Sequence, residues 1–217
     1  MLVNDPTGPV RKGFISELDS IDERVNRLFA MVTESLVIAT DAFLAADREE
    51  ARTIAGRDQL IDTLEREIEE AVERTLLFQA PVAGDFFRLL TALRIVPELE
   101  RSGDLAEHIA SRAAAGLGGD LTPAIRGIVE QLGQRVVEMW RAAADAWADR
   151  DASAAARLGE DDQVVNGLHK RLWDELVSAG LPAELTMEMA LVARFYERLG
   201  DHAKHITERL PGAASHR

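Results

Sequence analysis

Apolar residues near the start of the chain recur at steps of three and four. Leu18, Ile21, Val25, Leu28, Val32 and Leu36 follow this spacing, which puts them on one face of an α-helix. Ser16 is a natural N-cap, so the pattern predicts a long helix from there to about Asp47. The first dozen residues, with Pro6, Gly8 and Pro9, read as a frayed arm. A second helix is predicted over roughly 49–78, with Leu60, Leu64, Ile68, Ala71 and Leu76 inward. Pro81 and Gly84 break it. A third runs from about Asp85 to Ala115, and Pro97 inside it predicts a bend.

Gly116-Leu117-Gly118-Gly119-Asp120 is the clearest boundary in the chain. Beyond it, Pro123 opens a fourth helix that reaches about Asp149. A fifth is predicted over about 152–178 and a sixth from about Ala183 to Leu210. No segment has the period-two alternation of a strand. The fold class is all-α. An offset of 104 residues places Glu34 on Glu138, Ala42 on Ala146, Asp47 on Asp151, Asp58 on Asp162, Gln59 on Gln163 and Leu64 on Leu168. The chain is therefore expected to be two tandem three-helix bundles, residues 14–115 and 121–210, related by an internal repeat.

The third and sixth predicted helices carry the same motif. Residues 98–110 and 195–207 reduce to Glu-Arg-x-Gly-Asp-x-Ala-x-His-Ile. Leu99, Ala106 and Ile109 form the apolar seam of the first copy, and Tyr196, Leu199, Ala203 and Ile206 that of the second. On the opposite side lie Glu100, Asp104 and His108, and their counterparts Glu197, Asp201 and His205. These are metal-ligand residue types, although an outward charged stripe is also what a solvated face looks like. Gly103 and Gly200 precede the aspartates inside a helix, at a cost of about 1 kcal/mol each relative to Ala. That cost points to close approach of a ligand or of another helix. The second predicted helix offers a matching set in Asp58 and Asp62, continued by Glu65 and Glu69. The fifth offers Asp162 and Asn166, with His169 beyond. Four helical residues advance about 6 Å, so Glu100 and His108 start too far apart to share one ion easily. The donor set suits a multinuclear, oxygen-rich site shared between helices, for Fe, Mn or Zn, with Mg open as well.

Composition removes several classes. Of the 217 residues, 47% are hydrophobic and 29% charged, enough for a core. The net charge of −13 repels phosphate backbones and anionic headgroups, so nucleic-acid binding is not expected. There is no cysteine, which removes disulfides, thiolate metal sites and a Cys nucleophile. The first residues lack the basic and apolar regions of a secretory signal. The most apolar stretch, Leu89 to Val96, is short and broken by Arg94, so membrane insertion is not expected. The default compartment is the cytoplasm.

The motifs Leu-Glu-Arg-Ser-Gly-Asp and Tyr-Glu-Arg-Leu-Gly-Asp-His-Ala, each closing a three-helix repeat, resemble those of the PhoU family, over about residues 14–209. The resemblance implies a cytoplasmic negative regulator of phosphate uptake and phosphate-starvation signalling. Its implied partners are the ATPase component of the phosphate ABC transporter and a sensor histidine kinase, which could recruit it to the inner face of the membrane. It also implies metal clusters held by paired acidic motifs on neighbouring helices. Those would be Glu100 and Asp104 with Asp58 and Asp62, and Glu197 and Asp201 with Asp162. Two departures stand out: His108 and His205 replace the usual Asn, and Asn166 stands where an acid is expected.

Two other classes compete. A carboxylate-bridged di-metal oxidase or hydrolase would need Glu-x-x-His pairs aimed into a bundle core, and the chain has none. A structural adaptor would leave both stripes solvated. No phosphate-binding Gly-rich loop or nucleophile elbow is present. Trp140, Trp147 and Trp173 read as core or interface anchors, His202 as a surface residue and His216 as part of a tail. Homodimerisation is left open.

Overall fold

A computed structural model describes residues 9–54, 57–79 and 81–210. The first helix, α1 (Pro9–Ala45), begins before the expected cap at Ser16, which lies exposed in mid-helix. The reason is visible in its core positions. The spacing that runs back from Leu36 through Leu18 continues to Phe14, which is also buried. Proline is accepted at a helix start because its missing N–H would have no helical partner there. Residues 9–12 of the predicted arm are thus helical; residues 1–8 lie outside the described residues, as does His216.

The expected second helix is two helices, α2 (Arg48–Arg52) and α3 (Arg57–Gln79). Asp47 caps α2 by accepting from Glu49 N and Glu50 N at 3.0 Å. The helix then tightens as Thr53 N donates to Glu50 O and Ile54 N to Ala51 O. Ile54 is buried and pins the break to the core. Ala51, Ile54 and Ile61 are themselves spaced as on a helix, which is why the interruption is hidden in the apolar pattern. On α3 it is Ile61, not the expected Leu60, that turns inward; Leu60 is 59% exposed. Ile61 lies over Gly103, where a Cβ would come within 2.6 Å of Ile61 Cδ1. The glycine before Asp104 is thus explained by helix packing.

The remaining helices are α4 (Ala83–Ala115), α5 (Pro123–Asp149), α6 (Ala154–Ser178) and α7 (Ala183–Glu208), with a 3₁₀ turn over Leu117–Asp120. Thr122 caps α5 by accepting from Ile125 N at 3.2 Å. Helix α4 runs unbroken through Pro97. Proline there gives no N–H to the preceding turn, and Arg209 donates into that turn, to Arg94 O at 2.7 Å. The same guanidinium pairs with Glu98 at 2.8 Å. The end of α7 thereby braces the proline turn of α4.

Helices α1, α3 and α4 form one three-helix unit, and α5, α6 and α7 the other. The units join where α1 packs on α5 and α4 on α7. The repeat reaches individual hydrogen bonds. Ala46 and Arg150, 104 residues apart, both adopt the left-handed conformation, at φ 54° and 55°. Each is followed by an aspartate whose N–H closes the helix at 2.9 Å, Asp47 to Ala42 O and Asp151 to Ala146 O. Non-glycine residues rarely take this conformation, so its recurrence is the mark of a duplicated C-terminal lock.

The join between units is tight. Thr40 on α1 hydrogen-bonds the Tyr196 hydroxyl at 2.9 Å and Leu36 O at 2.8 Å. Gly133 on α5 leaves room for Thr40, whose Cγ2 a Cβ would strike. Trp140 is buried against Phe29 and donates to Leu199 O at 3.1 Å. Trp147 is also buried, but Trp173 is 41% exposed and is not a core anchor. Within α1, the span Gly13–Ala45 is long and apolar enough to cross a membrane by composition. Its apolar stripe is part of the core of the bundle.

Gly133→Ala is expected to destabilise the protein by about 1–2 kcal/mol, because Thr40 is held by two hydrogen bonds and cannot yield. Gly127 on the same helix has nothing within 4 Å of its would-be Cβ. Gly127→Ala should therefore stabilise by about 0.5–1 kcal/mol. Urea denaturation of both variants checks the opposite signs.

Candidate functional site

The first acidic stripe lies along the outer seam between α3 and α4. Asp62, Glu65 and Glu69 on α3 and Glu100, Asp104 and Glu107 on α4 are all half-buried. The α4 members are set by the seam: with Leu99 and Ala106 fully inside, Glu100 and Asp104 must emerge on the flank that meets α3. The carboxylates feel one another. Burial raises the pKa of Glu65, and Glu69, Asp62 and Asp104 push it further while Arg101 opposes them. Such a set gains from a bound cation, and its oxygen donors suit a hard or borderline divalent ion. Among the described residues, no three His, Asp or Glu side chains converge into a ready metal cage. The side chain of Asp58 lies outside the described residues.

The second stripe, between α6 and α7, has a different chemistry. Asp162 is buried, and its Oδ2 accepts from Asn166 Nδ2 and Lys204 Nζ, both at 3.3 Å. Its Oδ1 has no hydrogen-bond partner, nor has Oε2 of Glu197 on the facing helix. Glu197 Oε1 pairs with Arg194 at 2.5 Å. Burial raises the pKa of Glu197; Arg194 opposes this, and Asp201 and Asp162 add to it. His169 accepts from the Trp173 indole N–H at 3.0 Å through Nε2, and burial and Arg194 lower its pKa. A Cβ on Gly200 would lie an ordinary 3.4 Å from Val165 Cγ1. With an ammonium group already on its most buried carboxylate, this donor set does not fit a multinuclear cluster.

Neither motif histidine sits on an acid in this structure. His108 is exposed, and its ring stacks on Phe195 of the other unit with centroids 5.4 Å apart. Arg112 lies over the same ring at 4.8 Å and pairs with Glu188 at 2.8 Å. His205 is exposed.

His202 is the residue that sequence reasoning misplaced. It is 7% exposed, not a surface residue. Its Nδ1 shares a hydrogen bond with Ser102 at 2.9 Å, and its Nε2 lies 3.7 Å from Glu98. Ser102 also donates to Glu98 O at 2.6 Å. Buried polar side chains of α4 and α7 thus meet across the join between units. The corresponding position in the first copy is Leu105, so the repeat gave no hint of it. Two oxygen-bearing residues on the apolar side of α4, Glu98 and Ser102, were the available signal.

Two helical units, each carrying one copy of a duplicated acidic motif, define a tandem-repeat α-helical bundle of the PhoU type. The chain belongs to the PhoU family: the PhoU domain model matches residues 21–113 and 129–210. A relative in Mycobacterium tuberculosis, the phosphate-specific transport system accessory protein PhoU homolog 2, is 29% identical over 93% of this chain and 96% of its own. The phosphate-specific transport system accessory protein PhoU homolog of Clostridium acetobutylicum is 30% identical, over 91% and 92%. The crystal structure of PhoU from Pseudomonas aeruginosa superposes with a TM-score of 0.84 at 28% identity, covering 91% of this chain and 96% of that one. The phosphate transport system regulatory protein PhoU from Streptococcus pneumoniae shares the fold, at a TM-score of 0.83 and 22% identity over 91% and 94%.

Burial lowers the pKa of His202 from an ordinary 6.5; Glu98 opposes this, Arg198 and His205 reinforce it, and Asp201 opposes it weakly. The unfolded chain therefore takes up this proton before the folded protein does. The stability from neutral His202 is whole above about pH 6.5 and declines as the pH falls toward the lower folded value. Urea midpoints at pH 7.5 and 5.5 should differ more for the wild type than for His202→Gln.

Proposed function

We propose that the protein is an accessory regulator of phosphate transport. On this reading it is a cytoplasmic protein that restrains phosphate uptake and phosphate-starvation signalling. It would do so by binding the ATPase component of the phosphate ABC transporter and its sensor histidine kinase. The observation that carries the reading is the length of the similarity: relatives named as phosphate-specific transport system accessory proteins align over more than nine-tenths of this chain. The test is a phosphate-starvation reporter in a host lacking its own regulator. This chain should return the reporter to its low state in phosphate-rich medium, and a reporter that stays high would reject the regulatory role.

The first acidic stripe fits this role as a metal site that holds neighbouring helices in one arrangement. Glu100, Asp104 and Asp62 would be the principal ligands of the first stripe, with Asp58 at its end. A bound divalent ion would supply charge neutralisation between α3 and α4. Glu65 belongs in the same set, because its carboxyl is already strained by its neighbours. Glu197, Asp201 and Asp162 are the corresponding acids of the second stripe. His108 and His205, exposed beyond the acids, could add imidazole donors only by changing rotamer.

A di-metal enzyme is the competing reading. It calls for acids directed into a bundle core, whereas these stripes flank the outer seams. Oxygen consumption or phosphatase turnover by metal-loaded protein would revive it. For the metal reading, Glu100→Ala with Asp104→Ala should lower bound Mn, Fe or Zn by elemental analysis while leaving helical circular dichroism intact. A wild type at background metal content after reloading would remove metal from the proposal and leave the regulator reading in place.

A further inference from the structure

The two stripes come from one duplicated motif, yet they have not kept the same charge. The 104-residue offset that aligns α3 with α6 puts Asn166 where Asp62 stands and His169 where Glu65 stands. The motif offset of 97 residues that aligns α4 with α7 puts Lys204 where Glu107 stands. Each change removes an acid, and the last replaces it with a cation.

Lys204 is also placed to act. Its ammonium lies 3.3 Å from Asp162 Oδ2, and the Asp162 side chain is 7% exposed against 27% for Lys204. A carboxylate so deeply buried is costly without a charged partner. Asn166 assists with a second hydrogen bond to the same oxygen. At the matching position the first stripe has Glu107, itself an acid, so this ammonium has no counterpart there.

We infer that Lys204 is a built-in counter-cation that takes the place of a metal ion in the second stripe, so that the chain binds metal through its first stripe alone. The inference rests on the metal reading of the first stripe for its second half only; the role of Lys204 stands separately. Removing the ammonium would leave Asp162 without its charged partner beside Asp201 and Glu197, of which only Glu197 would keep its pair with Arg194. Two buried carboxylate oxygens there already lack partners. A buried carboxylate left without a partner is costly, and a bound divalent ion is one way to compensate it.

The experiment counts ions. Full-length protein is stripped with chelator, reloaded with Mn²⁺ or Zn²⁺ in separate runs, desalted, and weighed by native mass spectrometry alongside elemental analysis. The variants are Asp104→Asn, Asp201→Asn, Lys204→Met, Lys204→Arg and the double Lys204→Met/Asp201→Asn. Lys204→Met keeps the length and helix preference of the side chain, and circular dichroism confirms folding; Lys204→Gln serves if it fails to fold. Asp104→Asn should lose the wild-type ions and Asp201→Asn should keep them. Lys204→Met should gain at least one ion per chain, the double variant should lose that gain, and Lys204→Arg should match the wild type.

Equal losses from Asp104→Asn and Asp201→Asn would overturn the inference while sparing the metal reading. An unchanged count in Lys204→Met would overturn it as well. A wild type without metal and a Lys204→Met variant that binds one would support the counter-cation and refute metal at the first stripe. Absence of metal from both would refute the two together.

Discussion

The arrangement of the molecule depends on one contact, where Thr40 of α1, Gly133 of α5 and Tyr196 of α7 meet. The Thr40 hydroxyl holds its own helix at Leu36 O and the other unit at the Tyr196 hydroxyl. Gly133 lets the methyl group lie against bare backbone. Burial raises the Tyr196 pKa well above the usual phenol range, so the bond remains one between neutral hydroxyls. Once Tyr196 points at α1, the next residue of the helix must turn about 100° away. That residue is Glu197, and the turn delivers it to the seam with α6. The core contact and the acidic stripe are therefore adjacent consequences of one helical register. Leu99 and Glu100 stand in the same relation on α4.

This coupling explains how much of the fold was legible in the sequence. A strict three-and-four spacing survives only where a helix buries one face, so α1 and the seams of α4 and α7 could be read directly. The break between α2 and α3 could not, because Ala51, Ile54 and Ile61 keep a helical spacing across it. The choice of Ile61 over Leu60 was equally hidden. Both are apolar and adjacent, and only the bare backbone at Gly103 selects between them. Trp173 misled for a related reason: a large aromatic beside a buried face is not itself buried when its indole N–H finds a histidine on the same helix.

The site was legible as a list of residues and not as a set of charges. The stripe positions follow from the motif, but what compensates them comes from elsewhere. Lys204 occupies an unconserved letter between the two copies of the pattern, and its meaning appears only when α6 is laid beside it. His202 is the same case at longer range. Its partners Ser102 and Glu98 lie about a hundred residues earlier, on a helix of the other repeat. Duplication reveals what two halves share, and both of these residues belong to what the halves do not share.

A duplicated helical unit is constrained unequally by its own symmetry. Packing requires complementary surfaces where α1 meets α5 and α4 meets α7, and it meets that need with different residues in the two halves: Tyr196 stands where the first copy has Leu99, and His202 where it has Leu105. The left-handed locks at Ala46 and Arg150 do agree, because they set where the following helix begins. The outer seams carry no such obligation. There an acid can become an amide, an imidazole or an ammonium without disturbing the core, provided that each buried charge retains a partner. Asp162 meets that condition through Lys204; at Glu65 the neighbouring carboxylates add to burial in raising the pKa, and Arg101 opposes them. Divergence of charge along a duplicated backbone is thus what the packing permits, and the two seams differ both in their charges and in how closely a neighbour approaches Gly103 and Gly200.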